Sequence, residues 1–375
     1  MRSVLLSGYY GFGNTGDEAI LASTVKALRE ADPGLKIMVL SRNPKDTSLS
    51  YEVECFQRMS PIEVSRAMNK ADLVVFGGGS LLQDSTSFRS LLYYIAIIYA
   101  ARLLGKPLVV YANGIGPIRS KIGRFLAKKA LSTARKITVR DRESRDELIR
   151  LGIKNEVDVT ADPAFLLSPA PPEKVEEVLR AANVPEKPGI VFIAIRAIDA
   201  PSWFYPEIIS ATQYLRGNGF FPAFLLMQDR DREIAEQLNG QIKRRGQEPL
   251  PVVGNLSPED ALGVLAKSDF CVGMRLHTLI LAARAEVPFI GLEIDPKIGA
   301  FCRAAGCPVL PAPKDSRNFD LIAACQHLAK NRDAFAASLK RNLCEFQTLA
   351  KKNIDMILSV LNQCTSTNSS RDLAS

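Results

Sequence analysis

Short runs rich in β-branched residues alternate with helical patterns along most of the 375-residue chain, and a proline cluster interrupts the alternation near its middle. Those two observations, with a long helical pattern at the end, predict an α/β protein of two successive parallel-sheet domains and a C-terminal helical segment. The expected limits are 1–168, 169–345 and 346–375. The chain is too long for one core of ordinary size. Its 47% hydrophobic and 23% charged residues exclude disordered, collagen-like and disulfide-knot architectures.

In the first half, Val4–Ser7, Lys36–Ser41, Asp72–Phe76, Leu108–Ala112 and Ile137–Val139 have the composition of buried strands, each bounded by Gly, Pro, Asn or charge. Helices are expected at Glu18–Ala31, Pro61–Asn69, Phe88–Leu104, Ile122–Thr133 and Ser144–Leu151. Ser168-Pro169-Ala170-Pro171-Pro172 suits a linker. The alternation then restarts with strands at Ile190–Ile195, Pro222–Met227, Pro251–Val253, Phe270–Val272 and Pro288–Leu292. Helices fall at Tyr205–Arg216, Arg232–Arg245, Pro258–Lys267 and Leu276–Arg284, and again from Leu321 to about Leu361, before a polar tail expected to fray. Two Rossmann-like halves of this kind are expected to face a cleft, as in GT-B-type transferases, with ligands at the carboxyl ends of the strands.

No secretory signal follows Met1-Arg2, and the longest uncharged apolar run, Leu91 to Ala101, is short of the roughly 20 residues that span a bilayer. The expectation is a soluble, cytoplasmic protein. Seven scattered cysteines without a C-x-x-C pair fit reduced thiols, and only two histidines, His277 and His327, are present. No metal site and no cofactor are expected, although carboxylates alone leave a metal open. Net charge is +8, and residues 1–168 hold 24 Lys+Arg against 17 Asp+Glu, nearly the whole surplus. Arg119, Lys121, Arg124, Lys128, Lys129, Arg135 and Lys136 follow one another with no acid between them. This stretch has three readings: a solvated helix face, contact with anionic lipid or a diphosphate, or nucleic acid. The last is disfavoured because no recognition motif accompanies the charge. Ile122, Phe125, Leu126, Lys129 and Thr133 share one helical stripe, which is expected to pack on the sheet and turn the cations outward.

Three glycine loops follow strands of the first sheet. The first runs from Gly8 through Gly13, Asn14 and Gly16 to Asp17 and Glu18. Its plain reading is a tight turn with Asp17 as helix cap, but four glycines with Asn14 and Asp17 exceed what a turn needs. It is not a dinucleotide fingerprint. Gly77-Gly78-Gly79-Ser80 and Asn113-Gly114-Ile115-Gly116 complete what we expect to be one binding face. In the second half, Arg275 and His277 open a helix after a strand, Lys297 lies one strand–loop unit beyond, and Arg196 ends a strand at the same rim. A lone histidine is usually a core residue, but three cations around His277 fit a small, strongly anionic substrate beside proton transfer. His327, inside an amphipathic pattern, keeps the core reading.

These loops, with Val-Arg-Asp-Arg-Glu-Ser (139–144) and Met-Arg-Leu-His (274–277), resemble the polysaccharide pyruvyltransferase family. The likeness is greatest to CsaB-type members, which modify the cell-wall glycan that anchors S-layer proteins. The resemblance runs from Gly8 to roughly Cys302. It implies transfer of pyruvyl from phosphoenolpyruvate onto two hydroxyls of a sugar as a cyclic ketal, with release of phosphate. For the CsaB type it implies β-N-acetylmannosamine, ketalised at O4 and O6, on a lipid-linked precursor at the inner membrane face. On this reading Arg275, Lys297 and Arg196 clamp phosphoenolpyruvate, and His277 protonates carbon or deprotonates a hydroxyl. Gly13, Asn14, Asp17, Gly78, Gly79, Ser80, Gly114 and Gly116 hold the sugar. A weak, salt-sensitive contact with anionic membrane, without insertion, is expected of the basic stretch, and no nucleic-acid partner.

The rival reading is a GT-B glycosyltransferase using a nucleotide sugar. Many retaining members carry two glutamates spaced E-x7-E, whereas Glu286 and Glu293 enclose six residues. A non-catalytic glycan-binding module would leave Arg275, His277 and Lys297 unexplained.

Overall fold

The computed structural model describes the chain apart from residues 1, 86, 186–188, 312, 314–318 and 373–375, and the backbone alone for 365–372. It divides into two compact units, residues 1–166 with 346–375, and residues 167–345.

The first unit runs β1 (Ser3–Ser7), α1 (Thr15–Ala31), β2 (Lys36–Ser41), α2 (Pro44–Tyr51), β3 (Glu54–Gln57), α3 (Pro61–Lys70), β4 (Leu73–Gly77), α4 (Phe88–Leu103), β5 (Leu108–Asn113), α5 (Lys121–Leu131), β6 (Lys136–Val139), α6 (Arg142–Leu151) and β7 (Val157–Val159). The strands form one parallel sheet in the order β3-β2-β1-β4-β5-β6-β7. Both faces are covered, which is why its strands are apolar without alternation. Leu5, Val74, Phe76 and Val110 enter the core on one face with residues of α3, α4 and α5. Val4, Leu6, Val75 and Val109 face the other way, toward α1 and the C-terminal helix.

The second unit runs α7 (Pro172–Ala181), β8 (Ile190–Ala194), α8 (Phe204–Gly217), β9 (Phe221–Leu225), α9 (Asp231–Arg244), β10 (Val252–Val253), α10 (Pro258–Ala266), β11 (Phe270–Gly273), α11 (Leu276–Arg284), β12 (Phe289–Leu292), α12 (Pro296–Ala305), β13 (Val309–Leu310) and α13 (Leu321–Lys330). Its parallel sheet is ordered β10-β9-β8-β11-β12-β13. A final helix, α14 (Arg332–Asp372), starts in this unit and ends in the first. The polar tail expected to fray thus continues as helix to Asp372.

Other differences have physical causes. Helix α2 buries only Thr47, so no apolar period marks it. Helix α12 buries small residues, Gly299, Cys302 and Ala305, beside Ile298. Helix α1 begins at Thr15, not near Asp17, because Asn14 is its cap and accepts from Gly16 N at 3.2 Å. In α5 the expected stripe is overturned. The buried face is Gly123, Ala127, Ala130 and Leu131, while Ile122 and Phe125 are 66% and 56% exposed. Gly123 lets α5 approach α4, since a Cβ there would stand 2.9 Å from Leu91 Cδ2. Arg124 is likewise not an outward cation: it pairs with Glu147 at 2.8 Å.

One polar contact fastens α14 to the first sheet. Asn353, fully buried, accepts from Thr138 Oγ1 at 2.7 Å and Thr160 Oγ1 at 2.9 Å, and donates to Ala161 O at 3.1 Å. Asn353→Ala leaves the Ala161 carbonyl without this donor, while Thr138 and Thr160 can still donate to Val110 O and Val139 O, so we expect a loss of about 1–3 kcal/mol, read as a lower denaturant midpoint at unchanged m.

Candidate active site

In each sheet the strand order reverses between the first and fourth strands of its unit, at β1/β4 and at β8/β11. Parallel α/β sheets bind ligands at the carboxyl ends of such strands. In the first unit three loops leave that edge. Asn14 caps α1 and its amide donates to the buried carboxylate of Asp17. Gly79 has φ +74°, and a Cβ there would lie 2.6 Å from Asp17 Oδ1, so only glycine lets the second loop lie against this carboxylate. Gly78 N donates to Tyr111 O at 2.8 Å, Gly114 N to Gly79 O at 2.8 Å, and Gly116 N to Leu82 O at 2.8 Å. Ser80 Oγ accepts from Arg140 at 2.8 Å. The structure therefore brings together Asn14, Asp17, Gly78, Gly79, Ser80, Gly114 and Gly116; Gly13 sits exposed at the turn before them.

Several residues here escaped the sequence reading. Arg140 is buried and ion-paired with Asp162 at 2.8 Å. Burial works against its charge, but Asp162, Asp141 and Asp17 more than offset this and hold the guanidinium above its ordinary pKa. Its place in the Val-Arg-Asp-Arg-Glu-Ser motif was the available signal. Asn113, at the end of β5, is fully buried with both amide atoms lacking a hydrogen-bond partner. Arg58 lies among Tyr93 (4.4 Å), Phe12 (4.9 Å), Tyr94 (5.3 Å) and Tyr9 (6.0 Å), and donates to Gly8 O at 2.9 Å. Tyr9 and Phe12 stack at 3.9 Å, which holds the partly exposed Phe12 ring flat on the first loop.

Glu18 anchors the same loop, accepting from Gly11 N at 2.7 Å and Tyr51 OH at 3.3 Å. Burial, then the Asp17 charge, push its carboxyl up to about 7 against the hydrogen bonds that favour its ionised form.

The second unit gathers cations. Arg275 caps α11 after β11, and its guanidinium is ion-paired with Asp231, a buried carboxylate at the start of α9. Arg196, beyond β8, makes no side-chain hydrogen bond or ion pair among the described residues. Burial first, then the charges of Arg275 and Arg230, hold its guanidinium below its ordinary pKa. His277 lies half-buried in the first turn of α11. Lys297 lies one loop further, in the first turn of α12, whose cap Asp295 accepts from Lys297 N at 3.0 Å. Arg196, Arg275 and Arg230 thus form one cluster, with His277 two residues past Arg275 and Lys297 on the neighbouring helix. Gln228 Oε1, Asp231 Oδ2 and Thr278 Oγ1 are buried around it without partners. No disulfide joins any of the seven cysteines. Burial pushes Cys302 and Cys325 up to about 12, away from nucleophilic use. Among the described residues no group of three His, Cys, Asp or Glu is placed to hold a metal, and no helix is long and apolar enough to cross a membrane.

Two Rossmann-type units in succession, each with a strand-order reversal, define a GT-B-like α/β fold. Solved structures share that fold at low identity. Anabaena Alr3699/HepE in complex with UDP and glucose has a TM-score of 0.63 at 14% identity, over 99% of this chain and 100% of its own. S. aureus MnaA with UDP has 0.65 at 16%, over 96% and 97%. UDP-GlcNAc 2-epimerase from Neisseria meningitidis bound to UDP-GlcNAc has 0.61 at 14%, over 96% and 100%. At such identity the likeness concerns the fold alone. No curated protein matches the sequence. The sequence profile of the polysaccharide pyruvyl transferase family matches residues 14–296, and the chain belongs to that family.

The Glu18 geometry carries a pH consequence. Its folded pKa of about 7 lies above the ordinary 4.5, so between those values the folded chain keeps a proton that the unfolded chain has released. The stability from this group is full below pH 4.5 and is lost as pH rises through 7, by roughly 2–3 kcal/mol. Denaturant midpoints from pH 5 to 8 are expected to fall for the parent relative to Glu18→Gln; parallel curves would contradict the buried-acid reading.

Proposed function

We propose that this transferase, whose family acts in pyruvyl transfer to polysaccharide, takes its pyruvyl group from phosphoenolpyruvate and closes a cyclic ketal on two hydroxyls of one sugar. The observation that carries this reading is Arg196. A half-buried guanidinium with no ion pair among the described residues, crowded by Arg275 and Arg230 and only partly offset by Asp231 and Asp295, is stabilised by a ligand of high negative charge. Phosphoenolpyruvate brings a carboxylate and a phosphate, and Lys297 extends the cationic rim toward it.

In the reaction C3 of the enol gains a proton, C2 becomes electrophilic and a sugar hydroxyl adds there, losing its proton. The first hydroxyl's proton balances the one taken up at C3; the second hydroxyl then displaces phosphate from C2, and its proton leaves with the phosphate. His277 serves one of these transfers, since an imidazole exchanges protons near neutral pH. The acceptor lies on the first-unit loops, against Asn14, Asp17, Ser80 and the glycine backbone. Asn113 and the Phe12 ring add an unpaired amide and an apolar plate of the kind that sugars bind. A β-N-acetylmannosamine of a lipid-linked cell-wall precursor, ketalised at O4 and O6 for S-layer anchoring, is the acceptor that the CsaB-type resemblance favours.

The nucleotide-sugar alternative needs two glutamates beside one donor. Glu286 precedes β12 and Glu293 follows it, so they stand at opposite ends of that strand. Incubation with phosphoenolpyruvate and a glycan acceptor is expected to release phosphate. Nucleotide release from a UDP-sugar would overturn the proposal.

Two substitutions test the roles. Arg196→Gln is expected to raise the KM for phosphoenolpyruvate about 10- to 150-fold, equivalent to roughly 1.5–3 kcal/mol, without lowering the melting temperature, because it relieves like-charge crowding. Arg275→Ala is not equivalent: it leaves Asp231 buried and unpaired, so stability falls as well, by about 3–5 kcal/mol. His277→Ala is expected to lower kcat about 100-fold or more with the fold intact. A large loss of stability with activity retained would return His277 to a core role.

A further inference from the structure

From Ser85 to Arg140 the sequence contains no Asp or Glu, while eleven Lys and Arg fall within it. The segment includes the whole of α4 and α5, which pack together at Gly123 with Phe88 beside the first turn of α5. The outward face of this pair is not a plain solvated surface. On α5 the centre of that face is Phe125, and its neighbours one turn away in either direction are Lys121, Ile122, Lys128 and Lys129. All five are exposed, and Lys129 Nζ lies 4.5 Å from the Phe125 ring centroid. Phe88 and Leu92, one turn apart on α4, are also among the exposed large apolar residues. Arg119, Lys121, Lys128 and Lys129 make no ion pair among the described residues, whereas Arg124 is held by Glu147.

We propose that the α4–α5 face docks on an anionic lipid surface, with Phe125 and Ile122 entering the headgroup layer and Arg119, Lys121, Lys128 and Lys129 meeting lipid phosphates. Charge alone would fit any polyanion. Aromatic and aliphatic side chains at the centre of a cationic rim fit a surface that is charged outside and apolar beneath. A nucleic acid offers no such layer to a helix face of this kind. The amphipathic arrangement also departs from a purely electrostatic contact, because two large apolar side chains stand in water in the free protein. The proposal is independent of the reaction assigned above, since it concerns only where the first unit sits when it works.

The test uses the full chain and vesicles of phosphatidylcholine with or without 30% phosphatidylglycerol. The parent should sediment with the anionic vesicles at low salt and be released by high salt. Lys121→Gln, Lys128→Gln and Lys129→Gln together should weaken association about 100-fold, near fivefold for each charge. Ile122→Ser with Phe125→Ser should weaken it at least tenfold with the melting temperature unchanged, both side chains being exposed. Phe125→Trp should add to the emission of Trp203 a component that brominated acyl chains quench, whereas the parent's emission should not be quenched. Phosphate release with a soluble acceptor should be unchanged in all these variants, which separates failure here from failure of the catalytic reading. Any of four results overturns the proposal: no association at low salt, Phe125→Trp emission that stays unquenched, binding to duplex DNA of equal strength that survives the Ser substitutions, or a parent dimer that those substitutions dissociate.

Discussion

A buried arginine paired with a buried aspartate organises each unit. Arg140, just past β6, holds Asp162 on one side and Ser80 of the triple-glycine loop on the other. A charge removed from water is costly unless it is paired, so these two contacts tie the loops after β4, β6 and β7 to one another. Arg275, just past β11, pairs with Asp231 at the head of α9, fixing the loops after β9 and β11. In both units the pair sits where the parallel strands end. The candidate ligand loops are therefore held in place by the fold itself, and geometry of that kind is what catalysis by positioning needs.

Much of this was legible in the sequence, because parallel strands covered on both faces announce themselves as short apolar runs. The glycine loops were legible for a related reason. A Gly-Gly-Gly at a strand end is costly in the unfolded chain, and the approach of Gly79 to Asp17 accounts for it. What stayed hidden depends on contacts between residues far apart in sequence. Nothing local marks Asn353 as the partner of Thr138 and Thr160, or Arg58 as the centre of four aromatic rings. Short helices such as α2, with one buried residue, carry no period to detect.

The basic stretch shows how a correct pattern can be given the wrong face. Ile122, Phe125 and Leu126 share a helical stripe, and apolar residues ordinarily turn inward. In α5 the inward face is instead made of Gly123, Ala127, Ala130 and Leu131. The reason is close approach: α4 lies so near at Gly123 that a larger residue would meet Leu91 and Ile118. Small residues won the interior on steric grounds; Ile122 and Phe125 were displaced to the surface, while Leu126 packs at the edge of the core.

The distribution of unsatisfied polar groups completes the argument. Buried polar atoms are paired almost everywhere in folded proteins, and each exception costs about 1–3 kcal/mol. Such exceptions include Gln57, Arg145 and Gln247 elsewhere in the fold, but Asn113, Gln228, Asp231 and Thr278 lie with the candidate ligand loops, at or just beyond the carboxyl ends of strands β5, β9 and β11 or in the helices that follow them. Residues that only stabilised the fold would gain nothing from that placement. Groups that wait for a hydroxyl, an amide or a phosphate oxygen belong there, since a ligand satisfies them at the moment it binds. The same logic covers Arg196, whose crowding with Arg275 and Arg230 is only partly offset by Asp231 and Asp295. Folding and function draw on one ledger in this chain, and on the proposed reading the imbalance left at the strand ends is what a charged donor and a polyhydroxylated acceptor would relieve.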